Sequence, residues 1–578
     1  MRSRKTHQEL TVRAISGTHV VLLAMNLPES KCKGLRGFAI HRTDHAEQES
    51  RWLEGVRAFE ATDPKLGPGL KLSSRKHPFQ DFTWSDYSAQ QGRKYTYKVL
   101  ALKGEPDDLQ PLAEVEIDIE TEKQDGAVHE VYFNRGAASS QEYSRRFGNR
   151  TPGSKGDDLD PTWAWLSRGA HEAILNFIGQ AKKGWGLRVC AYEFRLPSVA
   201  NAIDDAHDRG ADVMVLFDGS KEFPADENRE TVAKARILGL CYERIPKPIA
   251  IPHNKFIVLL KNDKPVAVLT GSTNFSLGGV FGQSNVVHIV NDPAIAGQYR
   301  DYWDALVENP EKSDLAPALA TAHPLPKGLP PKGSMTVFSP RTSLDALDYY
   351  IDIAGLANEG LFITFPFGMH EGFKSVFKTS KASLRNALMD KLLGHGVVGP
   401  KRKGETDAAA KKRRAQELKA ARDEMIAIRK KVENQIAVGS TMPFNLFDKW
   451  LEEKLTGLNA HVNYVHTKYM LVDPLSDNPT IVSGSANFSA ASTDKNDENM
   501  LIIRGDTRVA DIYLGEFMRL WDHYAFREWA SSQSAKNKSA IASSATSDKP
   551  WYLDTTDGWW KRYYGKTTYS RIREYFTK

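Results

Sequence analysis

His253-Asn254-Lys255 is followed, eighteen residues after the histidine, by Gly271-Ser272-Thr273-Asn274-Phe275-Ser276. The same frame recurs at His466-Thr467-Lys468 and Gly484-Ser485-Ala486-Asn487-Phe488-Ser489. His to His, Lys to Lys and Asn to Asn are each 213 residues apart. An H-x-K tripeptide arises often by chance; two copies within one 22-residue frame do not. Equal internal spacing means that both copies occupy the same local structure, so the chain is expected to contain one architectural unit twice. One position breaks the match: Asp473 follows Lys468 where the first copy has Leu260.

The flanking sequence supports a duplicated α/β unit. Residues 169–178 have helical spacing, 187–194 read as a strand, 198–209 as a helix capped at Ser198 and ended by Gly210, and 212–217 as a buried strand. The pattern returns with a helix over 344–356 and a strand over 361–365, ended by Pro366. Helices alternating with apolar strands predict layered α/β lobes over 161–322 and 333–530, joined by a segment with Pro324, Pro326, Pro330 and Pro331. Before them, residues 1–123 show strand alternation at 38–42 and 95–102, which predicts a small all-β sandwich. Residues 124–160, with Gly136, Gly148, Pro152, Gly153 and Gly156, read as a linker or a loop lying over a site. A Lys/Arg-rich helical insertion spans 399–435, readable either as a solvated helix with i,i+4 pairs or as a phosphate-contacting arm. An aromatic-basic tail follows over 531–578; its aromatics could stack bases or pack back onto a core.

The formal charge is +6, which permits a polyanionic partner without requiring one. Cys32, Cys190 and Cys241 are few, odd in number and far apart, which argues against a disulfide framework or a zinc site. No apolar run reaches transmembrane length. A cytoplasmic protein is expected.

On a strand, H-x-K puts the imidazole and the ammonium on one face. In G-S-x-N, glycine allows close backbone approach, and serine and asparagine supply a hydroxyl and an amide. Two copies therefore offer two imidazoles, two fixed cations and neutral hydrogen-bonding groups. That inventory suits a phosphodiester: lysines neutralise the non-bridging oxygens, one imidazole attacks phosphorus and the other protonates the leaving oxygen. No metal or other cofactor is required, because the cations supply the electrostatic stabilisation.

The paired frame resembles that of the phospholipase D superfamily, whose motif is H-x-K-x4-D with a downstream G-S-x-N. The second copy is complete, with His466, Lys468, Asp473, Gly484, Ser485 and Asn487; the first has His253, Lys255, Gly271, Ser272 and Asn274 but Leu260 at the Asp position. The resemblance covers about residues 160–530. It implies two similar lobes, each a mixed sheet flanked by helices, with the motifs meeting at a pseudo-two-fold axis, so that one chain completes the site. It also implies a phospho-histidine intermediate, with His253 as nucleophile and His466 as general acid, the reverse order remaining open. Relatives of this type place a carboxylate after G-S-x-N to orient the opposite imidazole; Glu498 or Asp497 is available in the second copy, whereas around Asn285 the first offers only neutral groups. Residues 92–101 separately resemble a late strand of a fibronectin type III sandwich, with Tyr95 and Tyr97 as candidate corner tyrosines.

Fold and mechanism leave the substrate open. A nuclease acting on DNA or RNA is the reading favoured by the basic insertion and tail. The alternatives are a phospholipase D acting on phosphatidylcholine-type lipids, and an interaction module whose lobes are silent.

Overall fold

The computed structural model describes residues 1–67, 70–136, 141–148, 150–152, 160–220, 222–248, 250–394, 397–439, 465–542 and 552–578. Gly153 and Gly156 of the expected linker and part of the tail lie outside these residues.

Lobe one is a seven-stranded sheet. Its strands are β1 (His129–Phe133), β2 (Trp185–Ala191), β3 (Asp212–Asp218), β4 (Cys241–Arg244), β5 (Lys255–Lys261), β6 (Lys264–Gly271) and β7 (Val286–Val290), in the order β1-β7-β6-β5-β2-β3-β4. Lobe two contains β8 (Gly333–Ser339), β9 (Gly360–Phe365), β10 (Leu384–Met389), β11 (Asn434–Val438), β12 (Tyr469–Val472), β13 (Thr480–Gly484) and β14 (Glu498–Arg504), in the order β8-β14-β13-β12-β9-β10-β11. Adding seven to each strand of lobe one reproduces lobe two. In both, three parallel strands meet an antiparallel half where β2 pairs with β5, and β9 with β12. The central strands are nearly continuous apolar runs because helices cover both faces. These include α1 (Pro197–Asp208), α2 (Glu222–Lys234), α3 (Pro293–Val307), α4 (Glu371–Thr379), α5 (Asp407–Arg429) and α6 (Thr507–Ala542).

One apolar cluster runs through both lobes, with Phe256, Tyr299 and Trp303 from the first and Phe338, Leu471, Tyr513 and Phe517 from the second. The lobes are therefore halves of one packed body. Residues 2–120 form two four-stranded antiparallel sheets over their own core. Among the described residues no helix is long and apolar enough to cross a membrane.

Three expectations need adjustment, and the open alternative for the tail resolves to core packing. Residues 129–133, placed in the linker, form edge strand β1, paired with β7 from His129↔Val290 to Phe133↔Val286. The basic insertion is built into the architecture: α5 is the crossover between parallel strands β10 and β11, and β11 itself begins inside the range assigned to the insertion. The tail aromatics are core: Trp559, Trp560 and Tyr563 complete the sandwich, and Tyr575 and Phe576 pack beside Phe362. Ser198 is not a cap; α1 begins at Pro197 and the Ser198 hydroxyl bonds His171 (2.7 Å). His288, Asn291 and Asp292 have structural partners, respectively Tyr513, Glu130 and the first N–H groups of α3.

Candidate active site

Each H-x-K segment enters its sheet at the edge where the parallel strands end, the usual ligand-binding edge of such sheets. Lys255 opens β5 opposite Ala191, the last residue of β2, and Lys468 directly precedes β12. Each segment is held by the other lobe. The His253 N–H donates to the Asp497 carbonyl (2.9 Å), and the His466 N–H donates to the Ser284 hydroxyl (3.3 Å).

The side chains repeat this exchange. His253 Nδ1 lies 2.9 and 3.0 Å from the Glu498 carboxylate oxygens. His466 Nδ1 lies 2.9 Å from Asn285 Oδ1. Glu498 and Asn285 are 213 residues apart, so they occupy the same place in the two halves with different chemistry. Asn285 Nδ2 donates to the Gly279 carbonyl (2.8 Å), which turns Oδ1 toward His466 and makes it the acceptor of Nδ1–H. The His466 Nε2 lone pair then faces Lys468 Nζ at 2.8 Å. Each lysine also donates to the carbonyl of its own histidine, Lys255 at 2.6 Å and Lys468 at 2.6 Å.

The G-S-x-N segments supply the supports. A Cβ on Gly271 or Gly484 would sit 2.2 Å from the carbonyl oxygen of Val286 or Asn499, so only glycine fits. Ser272 donates to Asn285 (2.8 Å), and the Ser485 hydroxyl donates to the Asn499 carbonyl (3.3 Å) and accepts from the Asn499 N–H (3.0 Å). The Oδ1 atoms of Asn274 and Asn487 are buried with no partner among the described residues, a matched pair of unsatisfied acceptors. Leaving such a group dry costs about 1–3 kcal/mol.

The site is dry and crowded with positive charge. Burial pushes Lys255 down to about 8, against the pull of Glu498 and Glu193, and it pushes Lys468 well below the usual lysine range. Both imidazoles are driven well below the ordinary histidine value, by burial first and then by the two lysines. Burial raises Glu498 to about 7, opposed chiefly by Lys255. The downward shift of His253 and the upward shift of Glu498 each favour the neutral form across the 2.9 Å contact.

Asp473 lies elsewhere. Its carboxylate accepts from the N–H groups of Asn358 (3.1 Å), Glu359 (2.7 Å) and Gly360 (2.9 Å), capping the start of β9. Leu260 is packed in the apolar core. The Asp473/Leu260 mismatch between the copies is thus a scaffold difference.

Sequence reasoning missed several neighbours. The Tyr192 ring centroid lies 5.0 Å from that of His253 and 5.2 Å from Lys255 Nζ, and the Glu193 charge acts on both His253 and Lys255. Both residues follow the end of β2, where the strand-end rule could have found them. Asp497, offered beside Glu498, instead faces a buried Arg244 (2.9 Å). Asn134 is buried at the end of β1; its Nδ2 donates to the carbonyls of Val280 (2.8 Å) and Gln283 (2.7 Å), and its Oδ1 accepts from Asn285 N–H (2.9 Å). Nothing in the sequence marks that residue. Among the described residues no group of three or more His, Cys, Asp or Glu side chains is arranged to hold a metal ion.

Residues 174–307 and 407–521 match the family described as cardiolipin synthase, PLD-like domain. Each matched segment contains one of the two frames. Similar solved structures include the phospholipase D family member Nuc from Salmonella typhimurium (26% identity, 24% of this chain and 88% of that one, TM-score 0.21). Phosphatidylserine synthase from Haemophilus influenzae is another (12% identity, 65% and 93%, TM-score 0.42), as is yeast tyrosyl-DNA phosphodiesterase (11% identity, 55% and 82%, TM-score 0.30). No curated protein matches the chain.

Proposed function

We propose that the paired half-sites hydrolyse a phosphodiester without a metal ion, through a phospho-histidine, and that the natural substrate is a nucleic acid. The observation that carries the reading is the cross-lobe backing of two buried imidazoles by unlike groups, Glu498 behind His253 and Asn285 behind His466.

This difference supports the division of labour. When His253 Nε2 bonds to phosphorus, its ring becomes cationic, and the Glu498 carboxylate stabilises that charge through Nδ1–H. His466 has only a neutral amide behind it, so its conjugate acid sheds a proton readily and suits delivery to the leaving oxygen. Binding of the phosphodiester anion lets His466 take up a proton on Nε2; in the first step the P–N bond forms, the P–O bond to the leaving group breaks, and that oxygen takes the Nε2 proton. In the second, His466 removes a proton from water, the water oxygen bonds to phosphorus, the P–N bond breaks, and His253 is restored. Lys255 and Lys468 neutralise the phosphoryl oxygens throughout. Asn274 and Asn487 bond a phosphoryl oxygen through Nδ2, or a water through the Oδ1 atoms left unpartnered in the free chain.

The basic crossover helix α5 supports a nucleic-acid substrate, whereas the family description, which names a cardiolipin synthase, favours a lipid phosphodiester. Three free cysteines fit a cytoplasmic setting. A fibronectin type III-like assignment of residues 1–123 is supported by buried Tyr95, whose hydroxyl accepts from Gln90 N–H five residues upstream (2.8 Å), as a corner tyrosine does. The test is incubation of the chain with DNA, RNA and phospholipid vesicles in EDTA, beside His253→Asn and His466→Asn. Cleavage of nucleic acid that both substitutions abolish is expected. Robust cleavage by both variants sinks the paired-histidine mechanism, and headgroup release with intact nucleic acid moves the substrate to lipid.

A further inference from the structure

Residues 399–431 contain twelve Lys or Arg and five Asp or Glu, a surplus of seven positive charges. The whole chain has a surplus of six, so everything outside this segment is net −1. The corresponding crossover of lobe one, residues 219–240, has four basic and four acidic residues and is neutral. The chain's positive charge is thus gathered on one element of one lobe.

Within that element the acids are already engaged. Glu405 and Glu417 bind Arg413, Asp407 binds Lys401, Asp423 binds Lys419, and Glu424 holds Lys374 and Lys378 of α4. Ala410, Met425 and Ile428 seat α5 on the lobe, and Arg429 ties its end to Glu528 of α6 (2.7 Å). Lys403, Lys411, Lys412, Arg414, Arg422 and Lys430 remain exposed, with no carboxylate in ion-pair range among the described residues. Lys411, Arg414 and Arg422 fall along one side of the helix, with Lys412 beside them. At 23 residues α5 is ~34 Å long, about one turn of duplex DNA.

Strand β10 ends at Met389, and the next residue, Asp390, accepts from the N–H of Val465, the neighbour of His466 (3.1 Å). The chain leaving that point leads into α5, so the basic helix is the crossover that follows the strand end beside His466. Lobe one presents the opposite character at its edge, where Glu193 and Glu227 flank Arg195. The exposed large apolar residues of α5 are Leu418 and Ile426, two turns apart. That is no continuous apolar stripe of the kind a helix needs to lie in a lipid surface.

We propose that the exposed face of α5 is the docking surface for the phosphate backbone of a nucleic acid, which reaches the catalytic histidines across lobe two. The proposal rests on the nucleic-acid reading above and adds its direction. The test uses the full chain with His253→Asn, which prevents cleavage, and a fluorescent 30-base-pair duplex titrated from 50 to 300 mM salt. Neutralising Lys411, Lys412, Arg414 and Arg422 together to Gln is expected to weaken binding at 100 mM salt tenfold or more. It should also flatten the plot of log Kd against log salt by about 2–4, since each phosphate contact contributes about 0.9. Neutralising exposed Lys33, Lys71, Lys264 and Lys332 should change neither quantity by half as much. With His253 intact, the α5 variant should turn over bis-p-nitrophenyl phosphate at the parent rate, a readout of the chemistry and of folding that needs no docking. Equal affinity and salt slope for parent and α5 variant overturn the proposal, as does an equal effect of the control set. Loss of binding to phosphatidylglycerol vesicles with unchanged duplex binding overturns it in favour of a membrane. Absence of turnover in the parent, with duplex binding still dependent on α5, refutes the catalytic reading and leaves the docking surface standing.

Discussion

Glu498→Gln removes the charge behind His253 and keeps the shape of the side chain. The carboxylate oxygens stand 2.9 and 3.0 Å from Nδ1, so about 4 Å separates the charge of the carboxylate from that of a phosphorylated imidazolium. At an effective dielectric constant of about 20, opposite unit charges at that distance attract by ~4 kcal/mol. A neutral amide keeps roughly 1 kcal/mol as an ordinary hydrogen bond. The net loss of about 3 kcal/mol corresponds to a slowing of phospho-histidine formation by roughly 10²–10³. The assay uses two substrates: bis-p-nitrophenyl phosphate, whose leaving group departs without a proton, and a short oligonucleotide, whose leaving group needs one. Glu498→Gln should slow both equally. His466→Asn should behave differently, releasing p-nitrophenolate in a burst of one equivalent, then stalling with phosphate on His253, while the oligonucleotide is barely cut. If Glu498→Gln stays within threefold of the parent on both substrates, the carboxylate does not support the nucleophile. If His253→Asn gives the burst instead, the two histidines have exchanged roles.

Anion binding should weaken with alkali, because free Lys255 titrates at about 8 and binds an anion only as the ammonium. The rise in Tm produced by sulfate, whose charge is constant, should be larger at pH 7 than at pH 9.5, and Lys255→Met should remove most of that difference. The stability sign runs the other way: a lysine whose folded value lies below its unfolded one contributes stability fully above the unfolded value, and loses it as pH falls through about 8. Arg244→Met should cost about 3–5 kcal/mol in urea unfolding, because it strands the buried Asp497 carboxylate, and adding Asp497→Asn should recover much of the loss. Asp473→Ala should lose about 2 kcal/mol through its unsatisfied backbone donors, yet leave kcat on bis-p-nitrophenyl phosphate within twofold; a large fall in kcat refutes the scaffold role.

The repeated frame carried most of what was readable in the sequence. Residues at fixed spacing on paired strands need those strands in the same register, so 213-residue periodicity in the motifs translated into two sheets of identical order. The choice between Asp497 and Glu498 was not readable. Successive strand residues point to opposite faces, and which face meets His253 depends on the other lobe. The strand β1 was hidden by its shortness and by glycines and polar residues beyond it; its evidence is its pairing with β7, some 150 residues away. The two readings of the tail stayed open for the same reason. Composition cannot separate a ring that stacks on a base from one that fills a core, and Trp559 finds its partner, the Leu35 carbonyl, more than 500 residues upstream (2.7 Å).

The same distances explain why the two copies differ where they do. Each imidazole is backed by the other half, so the residue behind His253 is encoded in the second copy and the residue behind His466 in the first. Were the two halves identical chains, one residue would have to serve both positions, and the two histidines would share one environment. Joining the copies in a single chain removes that constraint. Asn285 and Glu498 can then differ, which on the proposed mechanism separates a nucleophile that needs a counter-charge from an acid that works better without one. The basic crossover on lobe two and the neutral one on lobe one extend this division from the proton to the substrate. Converting Asn285 to Glu should therefore restore symmetry at a cost. His466 would hold its proton more tightly, and the alkaline limb of the pH profile on an unactivated oligonucleotide should move upward as the maximal rate falls. An unchanged profile in that variant would mean that the difference between the copies is tolerated rather than used.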